Sequence, residues 1–450
     1  MPVFDFLGFL LVITFCAAGG IWQAGKVKTK SAYLVANRHT GLGALVATLV
    51  VTELNTSTLL SFSSVGFFAG DWALILPFVL LVGLTFYSLT VAKKYREFNA
   101  LSVAEVFLKK YGPSYARVVS LCLVTSMLGL SSTYVRSFSL FFAPLLRINM
   151  WLLSLIMIIA VLTFTVRGGL RSIIRSDIIT FIVALFFLPL VFYWTLNFNE
   201  SFPVAAISFA AGREALTPNF VLSLIILTSS TYILAPWYGQ KILSAKNAKV
   251  AYWSVAICAI FVFALYGLLV LSCSLLQKKG IELKSPENAL PFILSNVVPI
   301  GARGVGYALI FCIAATTLAG AYSAITTMIM SDFLIPSYFN IKYPIIITLI
   351  IASISYFLAN IIDDNIFNTI IVANIPIFAL SFGLLAAFYW PRVTSVGAYA
   401  STVVGLVWGL FCYAYFGIEG HYTIYWIFLG LPLVFGSGVS VSLYSAKTSS

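Results

Sequence analysis

The sequence predicts an all-α polytopic membrane protein with about thirteen transmembrane helices. Hydrophobic residues make up 61% of the chain, charged residues 9%, and the mean hydropathy is +1.03, whereas soluble globular domains carry about 25% charged residues. Apolar stretches of spanning length recur along the chain. Polar side chains interrupt some of these stretches at their centres, which indicates a site inside the membrane domain.

The apolar stretches follow one another without a long soluble segment, so residues 1–450 are predicted to form one transmembrane domain. Each stretch is of spanning length, because a helix of about 20 apolar residues crosses the hydrocarbon core. Their centres lie near Leu10, Thr56, Leu80, Met127, Ile158, Ala184, Ile226, Phe263, Thr317, Ile350, Ala379, Leu406 and Leu431.

The placement of basic residues predicts the orientation of the chain. The stretch from Phe4 to Ile21 is expected to remain as a helix, because no Lys or Arg precedes it. With the N-terminus outside and the C-terminus cytoplasmic, most of the 26 basic residues fall in cytoplasmic connections, among them Lys93, Lys94 and Arg96. We therefore expect a multi-pass protein of the plasma (inner) membrane. Topology and anionic lipid explain the net charge of +12 without a nucleic-acid partner.

The reactive residue types are not grouped for enzyme chemistry. The six cysteines are scattered without metal-ligand spacing, and His39 and His421 are isolated in the sequence. A nucleophile–base pair and a phosphate-binding loop have no matching motif. The sequence therefore predicts neither an enzyme nor an ATP-driven pump.

Two predicted helices are broken by polar residues. The second span contains a polar run from Thr52 to Thr58 that includes Glu53, and the seventh contains Thr228 to Thr231 followed by Pro236. Transporters often place binding sites at such breaks and repeat their helices in inverted form. The second break comes five helices after the first, and because five is odd, we predict five-plus-five inverted repeats at about 41–200 and 215–390. One extra helix precedes the repeats and two follow them.

The ninth span adds a pair of hydroxyl side chains, Thr316 and Thr317. Sodium is a small, hard cation that prefers oxygen ligands. Carbonyl groups freed at a helix break, together with hydroxyls from a facing helix, can supply such ligands. Spans two and nine are therefore expected to form a sodium site.

Several segments resemble the solute:sodium symporter family, whose members carry proline, pantothenate, sugars, iodide or sialic acid. In chain order, these segments are Asn37-Arg38 with Gly41, Arg167-Gly168-Gly169-Leu170 through Asp177, Gln240-Lys241 through Ala245, and Thr316-Thr317 with Asp332. The resemblance covers about residues 30–340. It implies the leucine-transporter-type fold, in agreement with the inverted repeat expected from the two breaks.

The resemblance also implies positions for a sodium site. The ligands would be the backbone carbonyls of Val51, Leu54 and Ile313 and the hydroxyls of Thr316 and Thr317. Asp177 would receive the cation near the inner mouth. An alternative for Asp177 is that it caps a helix, because Ser-Asp before an apolar run is also an ordinary helix start.

Glu53 and Arg136 are the ionisable residues predicted inside the membrane. Glu53 is expected to stabilise sodium, to carry a proton, or to form a structural ion pair. Arg136 resembles the arginine that meets the substrate carboxylate in sialic-acid-transporting relatives, although pairing with Glu53 is an open alternative. The predicted substrate-binding residues are Glu53, Asn55, Thr56, Ser57, Thr58 and Arg136.

Together these features predict a sodium-coupled secondary active symporter that imports a small organic solute by alternating access. A carboxylate-bearing solute, an organic anion, is favoured because of Arg136. Na⁺ is the expected ion, and the expected partners are the solute and lipid. The alternatives are a proton-coupled symporter that uses Glu53 and a sensor that binds solute without moving it. A channel is disfavoured because no ring of selectivity residues is visible.

Overall fold

The computed structural model describes residues 2–24, 30–98, 100, 102–198, 214, 216–333, 342–362, 366–417 and 421–448. The side chain of Arg167, which begins one of the predicted motifs, lies outside this description. Regular structure in the described ranges is helical, apart from an isolated β-bridge between Thr40 and Ala245.

The described part of the chain contains twenty α-helices. They are α1 Val3–Ala24, α2 Lys30–Val35, α3 Leu42–Glu53, α4 Thr56–Ala69, α5 Ile75–Tyr87, α6 Lys93–Phe98, α7 Val103–Tyr111, α8 Pro113–Leu146, α9 Met150–Leu196, α10 Pro218–Tyr232, α11 Pro236–Leu243, α12 Ala248–Lys278, α13 Ala289–Phe292, α14 Arg303–Asp332, α15 Lys342–Ile361, α16 Ile366–Ala373, α17 Ile375–Ala379, α18 Ser381–Tyr389, α19 Ser395–Phe416 and α20 Tyr422–Thr448.

Among the described residues, nine helices are long and apolar enough to span a membrane, or up to eleven if two bent pairs each form one span. The predicted number of thirteen is therefore not confirmed and stays a prediction. Two features lower the number. The segment Thr56–Phe98 counts once although its 43 residues are about twice the length that one crossing needs, and the apolar helix Leu42–Glu53, which ends at the first break, has only 12 residues.

Both predicted helix breaks are present. Leu54 leaves the helical conformation at the end of α3, and the Asn55 side chain accepts a hydrogen bond from the backbone N–H of Thr58 at 2.9 Å to begin α4. Pro236 begins α11, which is bent by 46° from α10. Proline is favoured at the first turn of a helix because its missing N–H has no helical partner there.

The Gly-Gly-Leu segment marks a third bend, within α9. Gly169 has φ +52° and ψ −160°, and a Cβ atom there would lie 2.6 Å from the carbonyl oxygen of Tyr33. A residue with a side chain would be strained at this φ and would clash with the backbone of α2. This glycine thus allows α9 to turn against the segment that leads into α3.

The helices that carry the polar residues lie at the centre of the bundle. In the spanning part of α14, 94% of the residues are buried, compared with 22% in that of α1. The α3 helix packs against α9, α12 and α14, and α4 packs against α8 and α12. The last two helices, α19 and α20, pack mainly against each other. The two halves of the first broken helix are therefore surrounded by protein rather than by lipid.

Candidate functional site

A cavity of about 140 Å³ lies beside the break between α3 and α4. Side chains of α5, α8, α10, α11, α16 and the link between α16 and α17 complete its wall. The residues that line it are Glu53, Asn55, Thr58, Ser61, Phe62, Leu76, Val79, Leu80, Leu130, Tyr134, Leu224, Leu227, Thr228, Thr231, Tyr232, Trp237, Phe367, Ile370, Ile371 and Asn374. Both broken helices thus contribute to one cavity.

Glu53 lies at the wall of this cavity and is 4% exposed. Its Oε2 atom accepts a hydrogen bond from the hydroxyl of Tyr232. Its backbone carbonyl accepts hydrogen bonds from the Tyr266 hydroxyl at 2.5 Å and from the Asn55 side chain at 3.1 Å. The Oε1 atom is buried and has no hydrogen-bond partner among the described residues. One carboxylate oxygen is therefore available to a ligand.

The four predicted substrate-binding residues after the break divide into two pairs. Asn55 and Thr58 line the cavity. The Thr56 hydroxyl donates to the carbonyl of Tyr134 at 3.3 Å, and the Ser57 hydroxyl lies 3.1 Å from that of Ser137. Because their hydroxyls bond to α8, Thr56 and Ser57 hold α4 against that helix. A contact between these two residues and substrate stays a prediction.

The sequence predicts that Arg136 meets either the substrate carboxylate or Glu53. Its guanidinium donates to the carbonyl of Ile362, beyond the end of α15. It is not among the residues that line the cavity, and Tyr232 rather than Arg136 is bonded to the Glu53 carboxylate. The described partner of the Glu53 carboxylate is thus a tyrosine hydroxyl on Oε2, and the Arg136–Glu53 ion pair stays a prediction.

The residues predicted to hold sodium lie at the end of α3 and along the middle of α14. They are Val51, Leu54, Ile313, Thr316 and Thr317, all of them buried. Carbonyl groups in the last turn of α3 lose helical N–H partners because the helix ends there. The hydroxyl oxygens of both threonines are buried and lack a hydrogen-bond partner in the described part of the chain. Thr316 also lines a second cavity of about 30 Å³ between α1, α9 and α14.

Asp177 forms a buried ion pair that the sequence did not predict. Its Oδ2 atom lies 2.8 Å from Nζ of Lys241, and the two side chains are 1% and 2% exposed. Lys241 also donates to the carbonyl of Thr48 at 3.1 Å and to the hydroxyl of Thr52, and the Thr48 hydroxyl donates to Asp177. Asp177 lies inside α9 rather than at its start. The capping alternative is therefore wrong.

Gln240 and Lys241 are neighbours at the end of the second broken helix and tie it to the rest of the core. The Gln240 side chain donates to the carbonyl of Leu34 at 3.0 Å and to the hydroxyl of Thr327 at 2.9 Å. We call Thr48, Thr52, Asp177, Gln240 and Lys241 the inner polar cluster. Next to it, the chain before α3 and the chain after α11 are joined by backbone hydrogen bonds from Thr40 to Ser244 and from Lys246 to Thr40.

The sequence of this chain matches the profile of the sodium:solute symporter family over residues 33–405. The protein is a member of the sodium:solute symporter family. A comparison with curated proteins found no match.

Solved structures agree with this assignment at the level of fold. The substrate-bound, outward-open state of a Na⁺-coupled sialic acid symporter aligns with a TM-score of 0.80 at 15% identity, over 98% of each chain. Two mutants of the manganese transporter of Eremococcus coleocola align with TM-scores of 0.52 and 0.53 at 10% identity, over 93% of this chain and 96% of theirs. These likenesses confirm the predicted leucine-transporter-type fold.

As a sodium:solute symporter family member, the protein is a multi-pass membrane transporter, and its family supports sodium as the coupling ion. The repeat boundaries at about 41–200 and 215–390 stay a prediction. Sequence reasoning missed Tyr232 as the partner of Glu53 and Lys241 as the partner of Asp177. A signal for Lys241 was present, because a lysine close to a broken apolar helix requires a charged partner when it is buried.

Proposed function

We propose that the protein is a sodium-coupled secondary active symporter that imports a small organic solute by alternating access. The observation that carries the proposal is the pair of hydroxyl oxygens of Thr316 and Thr317, which are buried without a hydrogen-bond partner in the described structure. Buried polar atoms are nearly always paired. Two adjacent unpaired oxygens on a central helix are therefore well suited to a cation.

The end of α3 supplies the other ligands in this proposal. Carbonyl groups of Val51 and Leu54 belong to the turn at which α3 ends, and α14 packs against α3. With the carbonyl of Ile313 and the two threonine hydroxyls, they would provide the oxygen-rich environment that sodium prefers. The donor set fits the ion because it consists only of oxygen atoms and lies beside a helix break.

Sodium bound between α3 and α14 would favour one arrangement of these two helices. An ion changes a conformational equilibrium only by its difference in affinity for the two states. In the outward-facing state the inner polar cluster closes the cytoplasmic side, and sodium then raises the affinity of the adjacent cavity for solute. Asp177 is proposed to receive the ion on the way inward, since its Oδ1 atom is buried without a hydrogen-bond partner in the described residues.

Thermal unfolding of the purified protein in NaCl and in KCl tests the sodium site. A ligand that binds only the folded state stabilises it, by about 2.7 kcal/mol at 100 times its Kd. We expect a sodium-specific increase in Tm for the wild type and its loss in Thr317→Ala. In KCl the variant should be nearly as stable as the wild type, because the hydroxyl that it removes is unpaired among the described residues.

Thr326→Ala is the matched control for this experiment. Thr326 lies on the same helix, but its hydroxyl is 3.0 Å from that of Thr348. This variant should lose stability equally in both salts and keep the sodium-specific increase. A wild type that responds equally to the two cations, or a Thr317→Ala variant that keeps the sodium response, would contradict the proposed site.

Proton coupling is a second candidate, and the Oε1 atom of Glu53, unpaired within the described ranges, favours it. In that case Tm should depend on pH rather than on sodium, and Glu53→Gln should abolish the pH dependence. A solute sensor on the same scaffold is distinguished by transport, since only a symporter accumulates solute in proteoliposomes against a gradient.

The structure bears on the predicted organic-anion substrate, and the sequence on the predicted membrane orientation. An organic anion bound by Arg136 requires this side chain to leave the carbonyl of Ile362 and enter the cavity. The cavity volume of about 140 Å³ also favours a solute smaller than sialic acid. The positive-inside distribution supports a plasma (inner) membrane protein with its N-terminus outside and its C-terminus cytoplasmic.

A further inference from the structure

The charges buried near the helix break do not balance. Asp177 and Lys241 neutralise each other at 2.8 Å, within the inner polar cluster. Glu53 is 4% exposed and its carboxylate is bonded to a neutral tyrosine hydroxyl. None of the described residues that line the cavity is basic, and Glu53 is the acidic residue among them. Among the described residues, the carboxylate at the wall of this cavity therefore has no cationic partner.

Aromatic rings line the same cavity as this carboxylate. They belong to Phe62, Tyr134, Tyr232, Trp237 and Phe367. The ring faces of such side chains attract cations, and the attraction is stronger where water is excluded. A cavity lined by one carboxylate and several aromatic rings is a typical environment for an organic ammonium group.

We propose that the solute carried by this cavity is a small organic cation, whose nitrogen is bound by the Oε1 atom of Glu53 and by the surrounding aromatic rings. This inference rests on the proposed symport function and names its substrate class. The Oε2 atom is engaged by Tyr232, whereas Oε1 is buried without a hydrogen-bond partner among the described residues. An anion would meet a like charge in a desolvated site, which opposes binding.

The size of the cavity limits the solute. A cavity of about 150 Å³ holds a molecule the size of benzene, and this one measures about 140 Å³. Choline and butylamine are compounds of this size. The hydroxyl and amide groups of Thr58, Thr231 and Asn374 also line the cavity and offer hydrogen bonds to the rest of such a solute.

Shape-matched pairs of probes isolate the effect of charge. Choline is compared with dimethylbutanol, its uncharged carbon analogue, and butylamine with butanol. Dimethylbutyrate serves as the anion. Each is added to the purified full-length protein in NaCl, and the concentration dependence of Tm gives an apparent affinity. Potassium replaces sodium in the reference buffer, because an organic cation used for that purpose would itself occupy the cavity.

We expect at least one of the two cations to stabilise the wild type more than its uncharged partner. Glu53→Gln should reduce the apparent affinity for that cation by about thirtyfold or more, because it removes a buried charge partner. Glu105→Gln makes the same chemical change at a partly exposed ion pair with Lys109 and should leave the affinity unchanged. The Tm of both variants in KCl reports whether they fold.

Several outcomes would overturn the inference. They are equal stabilisation by charged and uncharged partners, stabilisation by dimethylbutyrate alone, an unchanged cation response in Glu53→Gln, and no response to either cation. If the sodium-specific increase in Tm persists in these cases, the assigned substrate class is wrong and the symport proposal stands. If the sodium response itself is missing, the symport proposal fails first.

Discussion

The inner polar cluster and the central cavity contain similar residues but differ in how completely their polar atoms are bonded. In the inner polar cluster, Lys241 alone contacts three oxygen atoms, from Thr48, Thr52 and Asp177. In and beside the cavity, Oε1 of Glu53 and the hydroxyls of two threonines on α14 have no hydrogen-bond partner among the described residues. The polar atoms of the inner polar cluster are paired largely within the protein, whereas the unpaired polar atoms in and beside the cavity require ligands.

This difference explains how one pair of broken helices can serve both to close a pathway and to bind. Bonds that link different helices stabilise one arrangement without any ligand. Unpaired polar atoms lower the stability of the free protein and are stabilised when an ion or solute arrives. In the proposed transport cycle, the inner polar cluster therefore holds the cytoplasmic side closed, while occupation of the centre determines whether the closed state persists.

Removing Lys241 should have the largest effect, because it leaves Asp177 as a buried charge without its cation. Breaking a buried ion pair in this way costs about 3–5 kcal/mol. We expect Lys241→Ala to lower the stability of the folded protein by this amount, measured by denaturant or thermal unfolding in KCl.

A double variant separates charge from packing at this position. Asp177→Asn combined with Lys241→Met removes both charges and keeps most of the side-chain volume, so it should recover much of the stability that Lys241→Ala loses. If Lys241→Ala is as stable as the wild type, or if the double variant is the least stable of the three, the ion pair does not hold the inner side closed.

The fold was predictable because its determinants are local. Apolar length, the capping residue Asn55, Pro236 and the flexible Gly169 each act within a few residues of their own position. In the sequence, the breaks were located from the polar run Thr52 to Thr58 and from Thr228 to Thr231 with Pro236, and both are present. The number of spans was harder to predict, since a broken span is divided into shorter helices, such as the 12-residue helix Leu42–Glu53.

The contacts of the site were less predictable because they join distant parts of the sequence. Glu53 and Tyr232 are 179 residues apart, and Asp177 and Lys241 are 64 residues apart. Charge alone suggested Arg136 as the partner of Glu53. Sequence spacing carries no information on which helix faces which, so a tyrosine hydroxyl could not be distinguished from an arginine as the partner.

Substitutions at the wall of the cavity should have an intermediate effect on the stability of the folded protein. Tyr232→Phe removes the hydrogen-bond donor to the Glu53 carboxylate while it keeps the ring, and an unsatisfied buried acceptor costs about 1–3 kcal/mol. Tyr266→Phe is the matched control, because its hydroxyl donates to the backbone carbonyl of the same residue at 2.5 Å. We expect the first variant to be the less stable in KCl.

A double-mutant cycle measures the coupling between Tyr232 and Glu53 in the free energy of unfolding, and it gives a sharper result. In a Glu53→Gln background the acceptor is uncharged, so Tyr232→Phe should cost less than in the wild type, whereas the cost of Tyr266→Phe should stay the same. Equal costs of Tyr232→Phe in the two backgrounds would mean that its hydroxyl does not stabilise the charged carboxylate.

The smallest loss of stability is expected where a side-chain hydroxyl is removed but backbone hydrogen bonds still join the inner ends of the broken helices. The Ser244 hydroxyl lies 2.9 Å from that of Thr40, but the backbone bond from Thr40 to Ser244, at 3.1 Å, remains without it. Ser244→Ala should therefore cost only about 0.5–1.5 kcal/mol in an unfolding measurement in KCl. Ser272→Ala, which removes a bond within one helix at 2.8 Å, should cost less still. A loss at Ser244 as large as that of Lys241→Ala would mean that side chains rather than the backbone hold these ends together, and the inner closure would extend beyond the polar cluster.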